Sequence, residues 1–176
     1  AGLNGLCSGY FIVVIINILI ASLNFGLTYG NNNLEVILQF LIIFLIFNLL
    51  SKSFLGDSGS YLIGTYIGLF LIHFFDKYNY LVSPYFICLL LWYPAFENLF
   101  SIIRKFSLKK SPTNADNNHL HQLIFFYFKK KLDFSNFKIN NISSFTIISY
   151  NLLIFSISLI NPGSSKFQIM LILFNI

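Results

Sequence analysis

Long uncharged stretches constrain the fold of this chain more than any other feature. A helix needs about 20 apolar residues to cross the hydrocarbon core of a bilayer. Six stretches approach or exceed half that length: Tyr10–Tyr29, Val36–Ser51, Ser58–Phe75, Tyr78–Phe96, Ile139–Ser165 and Phe167–Ile176. The first, third and fourth fit a span, and the fifth exceeds one. The second is a little short unless it includes Leu34 and Glu35, and the sixth is too short to span alone. In the fifth we expect the helix to start near Ser144, after a connector.

The composition excludes the common alternatives. Of the 176 residues, 56% are hydrophobic and 10% charged, whereas soluble domains carry about 25% charged residues. Disordered chains are more polar still, and the runs lack the alternation of strands. We therefore predict an all-α, polytopic integral membrane helical bundle with five to six transmembrane helices, forming a single membrane domain over 1–176.

Basic residues orient the predicted spans. Residues 97–138 hold eight basic and three acidic side chains, a net charge of +5. The positive-inside rule makes this region cytoplasmic, so we predict a cytoplasmic loop over 102–143 with an interfacial helix at about 119–131. Counting spans places residues 1–9 and 51–60 on the same side. Lys77 and Lys166 then face outward.

The first polar motif, Phe54–Ser60, precedes the third stretch and places Asp57 between Gly56 and Gly59. A helix N-terminus attracts anions, and Mg²⁺ is usually held by one or two carboxylates together with substrate phosphates. Asp57 is therefore a candidate Mg²⁺ ligand. The alternative is that Asp57 only caps the helix, with Ser58 or Ser60 as further candidate caps.

The second polar motif, Ser111–Gln122, carries His119 and His121. Two imidazoles without a nearby third ligand are a weak zinc signal, but they can donate hydrogen bonds to phosphate or sugar oxygens. The alternative is a capped helix in which residues 116–118 supply the cap and His119–Lys131 form the helix. One apolar stripe would then lie in the membrane interface, made of Leu120, Leu123, Ile124, Tyr127 and Phe128.

Together with the Gly-rich opening Ala1–Leu6, these segments resemble the polyprenyl-phosphate N-acetylhexosamine-1-phosphate transferases, glycosyl transferase family 4. The Gly2–Leu6 stretch is similar to the end of the family's Asn-x-x-Asp-Gly-x-Asn/Asp-Gly-Leu motif. Phe54–Ser60 is similar to its Phe-Met-Gly-Asp-x-Gly-Ser motif, with Leu55 in place of Met. The remaining likeness lies in two segments: Pro94, Glu97, Ser101 and Arg104 at a helix end, and Asp116–Gln122 in the histidine loop.

The resemblance implies an enzyme of the bacterial inner membrane with its active site on the cytoplasmic face. Such an enzyme transfers a sugar 1-phosphate from a UDP-N-acetylhexosamine to polyprenyl (undecaprenyl) phosphate and releases UMP. It would serve cell wall, peptidoglycan precursor or lipopolysaccharide biosynthesis. The implied catalytic residue and Mg²⁺ ligand is Asp57. The implied substrate-binding residues are Asn4, Asn48, Phe54, His119 and His121, with Phe54 stacking on uracil and the histidines contacting the sugar phosphate.

The chain also departs from the family pattern. Ala1 stands where the family has Asp, Gln122 stands where many members have a further His, and the paired-aspartate motif has no counterpart. We therefore expect a C-terminal fragment of a longer transferase, inactive without its missing N-terminal half. Association into a homodimer is a further partner hypothesis.

Three alternatives remain open: a non-catalytic membrane subunit, a transporter fragment and a degenerate homologue. The uncharged spans contain no ion pair, which counts against ion translocation. No nucleic-acid-binding motif is present, so nucleic acid is not an expected partner.

Overall fold

The computed structural model describes residues 3–26, 31–107 and 119–175 of the chain. Its secondary structure over these ranges is entirely helical, which confirms the predicted all-α class. The helices are α1 (Leu6–Asn24), α2 (Asn31–Leu49), α3 (Gly56–Tyr78), α4 (Pro84–Leu90), α5 (Trp92–Ser107), α6 (Leu120–Lys131), α7 (Asn136–Ser158) and α8 (Ser165–Phe174).

Fewer helices can cross a membrane than the sequence predicted. Within the described ranges, α1, α3 and α7 are long and apolar enough, and α4 with α5 makes a fourth span only if the bent pair counts as one. The apolar helices Asn33–Leu49 and Ser165–Phe174 are shorter. The prediction of five spans was therefore wrong: three helices qualify, or four with the bent pair.

The predicted fourth span is broken at Leu91, where α4 and α5 meet at an angle of 69°. Pro94 explains the break, because it has no N–H to donate to the carbonyl four residues earlier, at Leu90. That carbonyl accepts a hydrogen bond from the hydroxyl of Tyr10 instead, at 2.6 Å. A side chain of α1 thus occupies the gap that the proline leaves in the helix.

Helix α1 lies at the centre of the bundle and packs against α2, α3 and α7. It is apolar on all sides, as expected of a helix surrounded by others, and Val14, Ile15 and Ile18 are fully buried. One stripe of α3 is buried along the same core: Ile67, Leu71, Phe74 and Tyr78.

The bundle has two chemically different ends. At one end, hereafter the opposite end, the α3–α4 and α7–α8 connections meet: the N–H of Ser83 donates to the carbonyl of Pro162 at 2.9 Å. The hydroxyls of Ser83 and Ser165 are also 2.9 Å apart. At the other end, hereafter the motif end, lie the start of α1, the α2–α3 connection, and the starts of α6 and α7.

Part of the predicted loop 102–143 is helical. Helix α5 continues to Ser107, and α7 starts at Asn136 rather than near Ser144. The polar residues that indicated a connector are held by other elements: Asn140 accepts a hydrogen bond from the N–H of Asn4 at 2.6 Å, and Ser144 donates to the carbonyl of Asn4 at 2.6 Å. Residues 108–118, which include Asp116, lie outside the described residues.

Candidate functional site

A glycine and an asparagine fix the backbone at the start of α1. Gly5 has a φ of 74°, which favours glycine. A Cβ on Gly5 would also lie 2.8 Å from a methyl group of Leu49. The N–H of Gly5 donates to Oδ1 of Asn48, and Nδ2 of Asn48 donates to the carbonyl of Ser53 at 2.6 Å. Asn48 therefore joins the start of α1 to the segment before α3.

Asn4 makes three hydrogen bonds, two to α7 and one to the α2–α3 connection. Besides its backbone bonds to α7, its Nδ2 donates to the hydroxyl of Ser51 at 2.6 Å. Ser51 itself has a φ of 56°, an uncommon conformation for a residue other than glycine. These contacts fix the loop that carries the first polar motif relative to α1 and α7.

The first polar motif forms the start of α3. The N-cap position belongs to Leu55, and Asp57 lies within the first turn. Ser60 donates back to the carbonyl of Gly56 at 2.8 Å. The structure therefore contradicts the N-cap alternative for Asp57 and for both serines.

Asp57 is exposed, and its carboxylate makes no hydrogen bond or ion pair to another described residue. Its position is three residues before Ser60 and seven before Gly64, so all three share one helical face. That face points toward α1: a Cβ on Gly64 would lie 3.6 Å from the ring of Phe11. The free carboxylate thus stands at the motif end of the face that packs on α1.

The second polar motif begins α6, and a buried carboxylate of α5 holds it. His119 occupies the N-cap position of α6. Its Nδ1 lies 3.3 Å from Oε2 of Glu97, and Nδ1 of His121 lies 3.0 Å from Oε1. Glu97 is 8% exposed.

The predicted apolar stripe of α6 is only partly covered. Leu120 and Ile124 pack against the core, whereas Leu123 and Tyr127 are 42% and 54% exposed. No described residue of α6 is fully buried. Helix α6 therefore has one covered face and one exposed apolar edge, and its position in a membrane interface stays a prediction.

Two cavities at the motif end bring the motifs together. The larger, about 340 Å³, is lined by residues of α1, α3 and α5 together with His119 and His121. The smaller, about 50 Å³, is lined by Asn4, Asn48, Phe54 and Gly56 among others. Leu3 and Cys7 line both. Every predicted site residue except Asp57 thus lines one of two adjoining cavities, and Asp57 follows Gly56 directly.

The metal ligand available at the start of α3, the carboxylate of Asp57, suits a hard cation that also binds substrate oxygens. Among the described residues, no group of three or more His, Cys, Asp or Glu side chains converges on one point. A zinc site of the usual kind therefore has no ligand set here. One free, exposed carboxylate fits Mg²⁺, which keeps most of its positions for water and phosphate oxygens.

Two residues of the larger cavity were not among the predicted site residues. Glu97 and Tyr93 both line the larger cavity, and the hydroxyl of Tyr93 donates to Oε1 of Glu97 at 2.8 Å. One signal was available: Glu97 is an acidic residue directly after an uncharged run. Its partners His119 and His121 are more than 20 residues away, so no local pattern linked them.

Comparison with known proteins gives one informative similarity. The chain is 36% identical over 73 residues to the undecaprenyl-phosphate alpha-N-acetylglucosaminyl 1-phosphate transferase of Thermotoga maritima. The matched segment covers 42% of this chain and 23% of that protein. No family model matches the chain, and no solved structure matches it. The similarity supports a transferase role at the level of that relative's family.

Proposed function

We propose that the chain is part of a membrane enzyme that transfers a sugar 1-phosphate from a UDP-N-acetylhexosamine to a polyprenyl phosphate. An oxygen of the lipid phosphate attacks the β-phosphorus of the UDP-sugar. The bond between the bridging oxygen and that phosphorus breaks, and UMP leaves. The observation that carries this proposal is the meeting of the Phe54–Ser60 and His119–His121 segments at adjoining cavities.

The smaller cavity is the proposed nucleotide side. Phe54 is 70% exposed, so its ring is free to stack on the uracil. Asn4 lines this cavity as well. Asn48 is 7% exposed, and both the oxygen and the nitrogen of its side-chain amide form hydrogen bonds with backbone atoms. We therefore assign it the role of shaping the nucleotide site through Gly5 and Ser53.

The larger cavity is the proposed sugar-phosphate side, where His119 and His121 contact the sugar phosphate. Asp57, at the junction with the α3 segment, is the residue that would hold Mg²⁺. When bound, the ion would neutralise phosphate charge and orient the two anions for transfer. The protein residues themselves bind and orient the donor.

The rest of the proposal concerns context. The basic residues Lys52 and Lys138 lie at the motif end, and Lys77 and Lys166 at the opposite end, which supports a cytoplasmic motif end by the positive-inside rule. UDP-sugars are then on the correct side, beside the bilayer that holds the lipid. The chain matches 23% of the relative's length, so we propose that catalysis also requires a further part of a longer protein, in cell-envelope polysaccharide or peptidoglycan precursor synthesis.

The test is a reconstituted transfer reaction. The complete gene product that contains the chain is placed in liposomes with undecaprenyl phosphate, Mg²⁺ and UDP-N-acetylglucosamine labelled in the sugar. We expect equal amounts of UMP and a labelled lipid diphosphate, and neither product when the lipid phosphate or Mg²⁺ is left out. Release of UDP and free sugar, or UMP formation that ignores the lipid phosphate, would contradict the proposal.

A further inference from the structure

The carboxylate of Glu97 has five polar contacts with four residues at the motif end. Oε1 accepts from the hydroxyl of Tyr93 at 2.8 Å, from the N–H of His121 at 3.1 Å and lies 3.0 Å from its Nδ1. Oε2 accepts from the N–H of Leu120 at 3.2 Å and lies 3.3 Å from Nδ1 of His119. A carboxylate has about four lone-pair sites, so its accepting capacity is fully used.

Two of these contacts cap α6 from a different helix. The N–H groups of Leu120 and His121 are among the first of α6, and the first four N–H groups of a helix have no partner within it. Glu97 satisfies both with a negative charge, which the helix dipole favours at that end. Glu97 therefore fixes where α6 begins, and with it the positions of both histidines.

The same carboxylate also selects the histidine tautomer. An ionised carboxylate only accepts hydrogen bonds, so a Nδ1 atom that bonds to it must carry the hydrogen. Nδ1 of His121 makes such a bond, 3.0 Å from Oε1, whereas Nδ1 of His119 lies at an ion-pair distance of 3.3 Å from Oε2. The two rings lie nearly parallel, 10° apart, with centroids separated by 5.5 Å. His121 is thereby held in the Nδ1–H tautomer, with Nε2 left as a hydrogen-bond acceptor for another partner.

We propose that Glu97 is a positioning residue that fixes His121 in the Nδ1–H tautomer and presents its Nε2 atom to the sugar-phosphate group, where it accepts a hydrogen bond from a sugar hydroxyl. The presentation to a sugar phosphate rests on the function proposed above; the tautomer does not. Glu97 contacts no substrate in this arrangement and acts only through the histidines.

The tautomer is tested without any activity assay. The chain contains three histidines, so ¹⁵N-histidine labelling gives three ring systems, assigned by replacing His73, His119 and His121 one at a time. Spectra are taken above about pH 8, where an ordinary imidazole is neutral. We expect an Nδ1–H signal from His121, and a shift toward Nε2–H in Glu97→Gln. The matched control is Glu35→Gln, because Glu35 is exposed on α2.

An Nε2–H signal from His121 in the unaltered chain would overturn the proposal. So would spectra of Glu97→Gln that equal those of the unaltered chain. Glutamine keeps the size of glutamate, and a melting curve of each variant shows whether it folds. Should Glu97→Gln fail to fold, the signals of the unaltered chain still decide the question, because they report the tautomer directly.

The link to the reaction is tested by a double-mutant cycle in the complete gene product. A carboxylate that orients a functional histidine typically contributes about 10- to 100-fold in activity, and we expect such a fall in UMP release for Glu97→Gln. In a His119→Asn, His121→Asn background the same change should have little further effect. Equal effects in both backgrounds would show that Glu97 acts independently of the histidines. If the unaltered protein releases no UMP while the Nδ1–H signal of His121 is present, the proposed function fails and the tautomer assignment stands.

Discussion

The start of α3 and the α5–α6 junction each present one carboxylate near the same cavities, in opposite states. Asp57, in the first region, is exposed and has no described protein partner. Glu97, in the second, is 8% exposed and bonded to Tyr93, His119, Leu120 and His121. The first carboxylate has its lone pairs available for a ligand, and the second has none to spare.

This difference predicts that one carboxylate contributes to stability and the other to ligand binding. A buried charge is stable only when it is paired and hydrogen-bonded, so Glu97 must contribute to folding wherever else it acts. An exposed, unpaired carboxylate contributes little to stability, so Asp57 is available for binding. Changes at Glu97 should therefore affect stability, and changes at Asp57 should affect activity alone.

The largest effect that we expect is on folding, from Glu97→Ala. It removes the acceptor for two helix N–H groups, two imidazoles and one hydroxyl, and the loss should lower the free energy of unfolding by about 3 kcal/mol. Glu35→Ala, on the exposed side of α2, should change it by less than about 0.5 kcal/mol. Thermal unfolding in detergent measures both. Equal melting temperatures for the two variants would contradict the proposed contribution of Glu97 to stability.

Asp57→Asn should change catalysis by about a hundredfold or more, comparable to the loss of one preorganised electrostatic group, while the melting temperature stays unchanged. The reason is that asparagine keeps the size but loses the charge that would hold Mg²⁺. Asp76→Asn is the matched control, because Asp76 is an exposed carboxylate near the other end of the same helix. UMP release is measured at several Mg²⁺ concentrations. Near-normal turnover of Asp57→Asn at low Mg²⁺ would refute the metal-ligand role.

Gly5→Ala should destabilise the motif end by about 2 kcal/mol, because a left-handed conformation costs a residue with a Cβ about 1–2 kcal/mol and Leu49 must also move. Gly68→Ala is the control: its added Cβ would meet nothing within 4 Å, and alanine favours a helix by about 0.5–1 kcal/mol. Unfolding curves should move in opposite directions. A shift of the same sign for both variants would contradict the assigned role of the Gly5–Asn48 contact.

The smallest effect that we expect is on donor affinity. Phe54→Ala should raise the KM for the UDP-sugar about tenfold, within the range for loss of one base-stacking ring, with no change in melting. The ring is 70% exposed, so little packing is lost. Tyr61→Ala, 75% exposed on α3, is the control and should leave the KM unchanged. An unaltered KM in Phe54→Ala would remove the uracil-stacking role.

Much of the helical architecture followed from the sequence because apolar runs of span length have few other structures available. The start of α7 was missed for a physical reason: Asn140 and Ser144 favour loops in isolation, but here both bond Asn4 across the motif end. The break at Leu91 had a visible cause in Pro94. That its free carbonyl would be satisfied by Tyr10, 80 positions earlier, was not visible.

The candidate site shows the same limit. Asp57, His119 and His121 stood out because they are polar residues beside long apolar runs. Glu97 and Tyr93 did not, because their importance comes from contacts between α5 and the start of α6. Pattern reasoning identified residues that face a cavity, and the structure was needed to find the residue that holds two of them in place.

The central claim is that the α3 segment and the histidine segment share one donor-binding site. Two native cysteines test it most directly: Cys7 lines both cavities, and Cys88 is exposed beside a separate apolar groove. The rate of maleimide modification at each thiol is followed by mass spectrometry of the complete gene product, with and without Mg²⁺ and UDP-N-acetylglucosamine. The account predicts that the nucleotide sugar slows modification of Cys7 and leaves Cys88 unchanged. An unchanged rate at Cys7, at a UDP-sugar concentration that saturates UMP release, would contradict it.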